Sequence, residues 1–176
     1  NFLPKGVPDV AGYEIAGKSV PALNVGGDYY DFIRLDEDRY AISLGDVSGK
    51  GIAAALLMSD VLATVRALRT VAVEAQDVVA QMDRHLLQTT EPEHYLTFFL
   101  GELDPVRNRF LYVNAGHPPA YLIRADGTFE KLESTGPPVG LLDLPGITFG
   151  SGVVDLSPGS AIVIYSDGVS EAERGS

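Results

Sequence analysis

The order of segments along the chain predicts an α+β fold, with antiparallel sheets packed beside a pair of adjacent helices. Three observations carry this reading. Strand-like runs come first, two helical runs then follow one another with no strand between them, and from Glu93 onward each apolar run has strand character and is bounded by turn residues. An alternating βαβ chain would place a helix after each strand, and this sequence does not. The chain has 176 residues, enough for one domain with a sizeable core, and 19 Gly and 11 Pro fit many short segments joined by turns.

Taken in order, Gly12 to Ala22 reads as a strand through Tyr13 and Ile15, closed by Pro21. Val25 to Leu35 reads as a second strand and Arg39 to Val47 as a third, joined as a hairpin by Asp36-Glu37-Asp38. The most helical stretch runs from Gly49 or Lys50 to about Val71. Its opening IAAALLM is apolar on nearly every side, so that end should be buried. Asp77 is placed to cap a second helix reaching about Thr89, with Val78, Val79, Met82 and Leu86 on one side. Beyond it, HYLTFFLGEL and RFLYVNAG flank DPVRN, PAYLIR and TFEKLE flank ADG, and GVVDL and AIVIYSD flank SPGS. Asp-Pro, Asp-Gly and Pro-Gly form turns because proline presets φ and glycine accepts positive φ.

Composition excludes some functions. The net charge is −11 with no Lys/Arg-rich block, which argues against nucleic acid, whose phosphate backbone needs a basic face. No apolar run approaches the ~18 residues of a membrane helix, so membrane insertion is not expected. The absence of cysteine and of a signal peptide leads us to expect a cytoplasmic location. The chain begins with Asn1 rather than Met and reads as a domain excised from a longer protein.

The segment ISLGDVSGKG has the layout of a phosphate-cradling loop: strand, glycine-rich turn with one lysine, helix. It does not satisfy that motif. Gly45 and Gly49 enclose three residues rather than four, and Gly51 follows Lys50 where a hydroxyl would be needed to hold Mg²⁺. Lys50 is more simply a solvated residue of the first helical turn. Asp46 is the informative residue. A hairpin turning at residues 36–38 sets Asp28 opposite Asp46, and like charges so placed repel. A divalent cation with hard oxygen ligands would offset that repulsion. Gly26, Gly27 and Gly45 would let the backbone approach it, and the Val47 carbonyl offers another donor. Asp167, in IVIYSDGVSEA, repeats the pattern of apolar strand, acid, turn and helix start. Three such carboxylates could support a two-metal centre. Each acid taken alone also reads as an ordinary turn residue or helix cap.

Four segments in order, VGGDYYDF, ISLGDVSGKGIAAALLMS, NAGHPPAYLIR and IVIYSDGVSEA, resemble the SpoIIE/RsbU branch of the metal-dependent (type 2C-like) serine/threonine protein phosphatases over nearly the whole chain. The resemblance implies a four-layer αββα sandwich, two mainly antiparallel sheets flanked by helix pairs, with residues 1–176 as a single phosphatase domain. Residues 1–6 would be the end of a linker from an upstream sensor or regulatory domain. It implies two Mn²⁺ or Mg²⁺ ions at one edge of the sandwich. Asp46 would bridge them, Asp28 and the Val47 backbone carbonyl would serve one, and Asp167 the other. Water activated by the metals would attack phosphorus on phosphoserine or phosphothreonine of a STAS-type anti-anti-sigma protein. Homodimerisation is also expected. Family members continue past the SDGVSEA motif to a last strand carrying a further acidic ligand, and that strand is expected to be missing from this sequence. His117, in NAGHPP, has two readings: near the metals it would assist proton transfer to the leaving oxygen, or with Asn114 it would satisfy backbone groups of a turn.

Overall fold

The computed structural model describes residues 3–4, 6–20, 28–49, 51–69, 74–90 and 94–170. Two antiparallel sheets form the centre. The larger comprises β1 (Asp28–Arg34), β2 (Tyr40–Val47), β3 (Leu96–Asp104), β4 (Arg109–Ala115) and β7 (Gly152–Asp155), in the spatial order β1-β2-β3-β4-β7. The smaller comprises β5 (Ala120–Ile123), β6 (Phe129–Leu132) and β8 (Ala161–Val163), in the order β6-β5-β8. The helices are α1 (Ile52–Arg69), α2 (Ala75–Thr89) and the single turn α3 (Asp167–Ser170).

Alternation along the strands sorts side chains into layers. On β2, Ala41 and Val47 face the helices, while Tyr40 and Ile42 face the smaller sheet. On β3, Leu96, Phe98 and Leu100 join the helix-side core and Phe99 and Leu103 the inter-sheet core. The helix-side core takes Leu57, Met58, Val61 and Val65 from α1 and Val78, Val79, Met82 and Leu86 from α2. The inter-sheet core holds Phe99, Phe110, Ala120, Leu122, Leu132 and Val154. Burying an aliphatic or aromatic side chain of this size is worth about 1.5–3 kcal/mol, so these two layers hold the sandwich together.

Several expectations are revised. The segment from Gly12 onward is not a strand among its described residues. Among the described residues it makes only an isolated bridge, Val10 to Tyr13, and joins no ladder. Tyr13 and Ile15 still pack on the inter-sheet core, so their apolar character reports burial rather than pairing. Asp77 is not the cap of α2. Glu74 occupies that position, without a side-chain cap bond, and Asp77 sits in the first turn. The strands flanking SPGS do not pair with each other: β7 pairs with β4 and β8 with β5, so the turn carries the chain from one sheet to the other. Of the two flanking helix pairs, α1 and α2 form one. The second is not among the described residues.

Candidate metal centre

The hairpin register falls where turn counting puts it: Asp28 is the cross-strand partner of Asp46. Asp46 in turn partners Thr97 on β3. Partners across a ladder project to the same face, and at this end of the strands the face is the one turned toward the smaller sheet. The structure describes Asp28 through its backbone register, and its side chain lies outside the described residues, as do Gly26, Gly27 and Lys50.

Asp46 and Asp167 come together. They line one cavity of about 360 Å³ at the edge of the sandwich, with Thr97, Gly116, His117 and Pro118. Four chain segments reach it from different places: the end of β2, the start of β3, the turn after β4, and the start of α3. Val47 is buried against the helices with its main chain next to Asp46. Its neighbour Ser48 ties the strand end down, donating its N–H to the Tyr95 carbonyl at 2.9 Å and accepting the Tyr95 N–H on its hydroxyl at 2.9 Å.

His117 is 3% exposed. Its main-chain N–H donates to Asn114 Oδ1 at 2.8 Å, so the turn-satisfying reading holds for Asn114. Its Nδ1 lies 2.9 Å from Thr97 Oγ1. Burial pushes its pKa down to about 4, against smaller upward pulls from the Tyr165 backbone and the Asp167 carboxylate. Gly116 just before it has φ +66°, and a Cβ there would run into Pro138, so only glycine fits the turn.

Do these groups suit a divalent cation? Two carboxylates facing one cavity, with a third acid in register beside Asp46, form a hard-oxygen donor set of the kind such ions prefer. Among the described residues, no three acidic or histidine side chains cluster closely enough to hold an ion by themselves, so the fit depends on Asp28 and on main-chain oxygen. Thr97 was not singled out from the sequence. Thr97 follows β2 by way of two helices, and no turn length gives its register against Asp46.

The chain is similar to known proteins over most of its length. A family model described as Stage II sporulation protein E (SpoIIE) matches residues 36–176. The phosphoserine phosphatase RsbU of Bacillus subtilis (strain 168) is 34% identical over 167 residues, 94% of this chain and 49% of that protein. The phosphoserine phosphatase RsbP of the same organism is 35% identical over 147 residues, 81% of this chain and 36% of that protein. A crystal structure of the RsbU and RsbW domains of Rv1364c from Mycobacterium tuberculosis matches with a TM-score of 0.73 at 32% identity, covering 86% of this chain and 42% of that one. The chain thus spans less than half the length of each of these relatives.

Proposed function

The chain belongs to the SpoIIE family, and from that premise we propose that it is the catalytic domain of a metal-dependent phosphatase acting on phosphoserine or phosphothreonine in a protein. One observation carries the reading: Asp46, paired in register with Asp28, faces Asp167 across a single cavity. Family membership alone would be compatible with a domain that keeps the fold and loses the chemistry. Acids converging on one cavity from two strands and a helix start are the donors that a divalent-cation site needs.

Asp28, Asp46, the Val47 carbonyl and Asp167 would hold two Mn²⁺ or Mg²⁺ ions. When bound, these ions supply positive charge to the phosphoryl oxygens and make a water molecule acidic enough to serve as nucleophile. The chain's own residues fix the frame. The β1–β2 register sets Asp28 beside Asp46, the Ser48–Tyr95 bonds hold the end of β2, and the cavity between Asp46 and Asp167 receives the phosphorylated side chain. With a net charge of −11, the protein as a whole repels a phosphate, and the cations would offset that.

The substrate is proposed to be a phosphorylated STAS-domain protein of a bacterial partner-switching pathway, in the cytoplasm. An upstream sensor or regulatory domain and a homodimer are proposed as controlling elements. No helix among the described residues is long and apolar enough to cross a membrane.

The test is phosphate release from a phosphorylated STAS-domain protein, with Mn²⁺ varied. Asp46→Asn should abolish release while leaving the fold intact by circular dichroism. Release at the unaltered rate in that variant would overturn the assignment.

A further inference from the structure

Between β6 and β7 the chain makes a loop whose two ends are fixed and whose middle is bare. At its start, Val139 exchanges both main-chain hydrogen bonds with Leu96, at 2.8 and 2.9 Å, and the Gly140 N–H donates to the buried Asp83 carboxylate at 2.8 Å. At its end, Ile147 and Phe149 pack on the helix-side core. Leu141 to Gly146, between these anchors, are all exposed. The run Leu141-Leu142-Asp143-Leu144 thus sets three leucines toward water, Leu144 with 61% of its surface. Single exposed leucines are ordinary, but three within four positions of a pinned loop make an apolar patch, and such patches mark contact sites.

The first anchor stands against the cavity between Asp46 and Asp167. Leu96 directly precedes Thr97, which lines the cavity, and Pro138 packs where a Cβ on Gly116, another lining residue, would fall. On a further wall, Val169 lies two residues past Asp167 and is exposed as well. A protein whose modified side chain enters this cavity must then lie across apolar residues at its rim. Charge does little to bring it there: the net charge of −11 repels an acidic phosphoprotein, and the run Leu141–Leu144 carries one charge, on Asp143. Because the fold already holds both ends of the loop, a partner that docks on it has little chain to order.

We propose that Leu141, Leu142 and Leu144 form the docking surface for the phosphoprotein substrate, and that they bind an apolar patch of its folded surface beside the phosphorylated residue. The inference rests on the phosphatase reading of the cavity. It gives the loop no contact with the reacting atoms. The loop's part is to select a folded protein over a small phosphate ester, which enters the same cavity without reaching the leucines.

The experiment uses the full chain and two substrates with Mn²⁺, a phosphorylated STAS-domain protein and p-nitrophenyl phosphate. The unaltered protein is compared with the triple variant Leu141→Ser, Leu142→Ser, Leu144→Ser. The control is Val106→Ser, which trims an exposed side chain in the turn between β3 and β4, at the other end of the sheet. In the triple variant the KM for the phosphoprotein should rise about tenfold or more, a factor that burial of one leucine can supply, while kcat and the hydrolysis of p-nitrophenyl phosphate stay within about twofold. Val106→Ser should match the unaltered protein in each respect. Calorimetric binding of the phosphoprotein without metal gives a readout free of turnover, and the triple variant should bind about tenfold more weakly. Unchanged KM and binding in the triple variant overturn the docking surface and leave the phosphatase reading standing. An equal fall with both substrates also overturns it, because the loop would then act through the cavity. So does unchanged KM beside a change of mass by light scattering, which would assign the leucines to a second copy of the chain. Binding that depends on the leucines, with neither substrate hydrolysed, overturns the phosphatase reading and keeps the docking surface. No binding of the phosphoprotein by the unaltered protein overturns the docking surface.

Discussion

Arg66 on α1 holds Asp31 on β1 through two hydrogen bonds, Nε to Oδ2 at 2.7 Å and Nη2 to Oδ1 at 3.0 Å. The pair joins the helix that follows Asp46 to the strand that begins with Asp28, and it is asymmetric: the Asp31 side chain is 1% exposed and that of Arg66 is 53% exposed. Arg66→Met keeps the aliphatic stem over the sheet and removes the charge. Asp31 is then a buried carboxylate without its cation. Breaking a fully buried pair costs about 3–5 kcal/mol, whereas an exposed pair is worth about 0–1 kcal/mol. The half-exposed guanidinium puts this one between those limits, at about 2 kcal/mol. For a chain of this length that corresponds to a melting point lowered by about 4–8 °C. Urea unfolding of Arg66→Met, Asp31→Asn and the double variant measures it. The double variant should be more stable than Arg66→Met, because the stranded charge has gone. A loss below about 0.5 kcal/mol in Arg66→Met would refute the reasoning, since it would mean that water reaches Asp31 as soon as the arginine leaves.

Asp83 of α2 is buried and accepts the Gly140 N–H at 2.8 Å, and burial raises its pKa above the ordinary carboxylate value near 3.8. The folded state therefore holds this proton more tightly than the unfolded one, and stability falls as pH rises from that value through the raised one. Asp83→Asn keeps an acceptor and sheds the charge, so it should match or exceed the unaltered protein at pH 7 and lose the advantage at low pH. Asp83→Ala should cost about 1–3 kcal/mol by leaving the Gly140 N–H unsatisfied; both follow from denaturant curves at several pH values. Gly116→Ala combines a left-handed backbone with a clash against Pro138 and should destabilise by about 2–4 kcal/mol, with Mn²⁺ affinity falling as the His117 turn shifts. Chelation of divalent cations should stop phosphate release and lower the melting point, because a ligand that binds only the folded state stabilises it; an unchanged melting point at saturating Mn²⁺ would count against the site.

What could be read from the sequence depended on distance along the chain. The Asp28–Asp46 pairing was legible because a three-residue turn leaves one register for its hairpin. The apolar face of α2 was legible from periodicity, whereas the start of α1, expected to be buried on nearly every side, buries Ala54, Leu57 and Met58 but leaves Leu56 67% exposed. The acids at the site were visible as acids ending apolar strands. The bond between His117 and Thr97 was not, because Thr97 approaches from a segment whose placement is set by sheet packing. Tyr13 and Ile15 misled for a related reason: alternating apolar residues show that a segment lies on a core, but hydrogen bonding to a neighbour is what makes it a strand.

The turn at Ser157–Ser160, which hands the chain from β7 to β8, fixes an order of events during synthesis. The β1–β2 hairpin closes over a short loop and can form while most of the protein is still being made. The strand leading to Asp167 pairs with β5 about forty positions earlier in the chain, and it can do so only once its own segment has left the ribosome. The two acids of the hairpin therefore exist as a repelling pair before the third arrives. Cation binding that needs all three acids would then follow the meeting of the two sheets, and a chain interrupted before Asp167 would lack one of the proposed ligands.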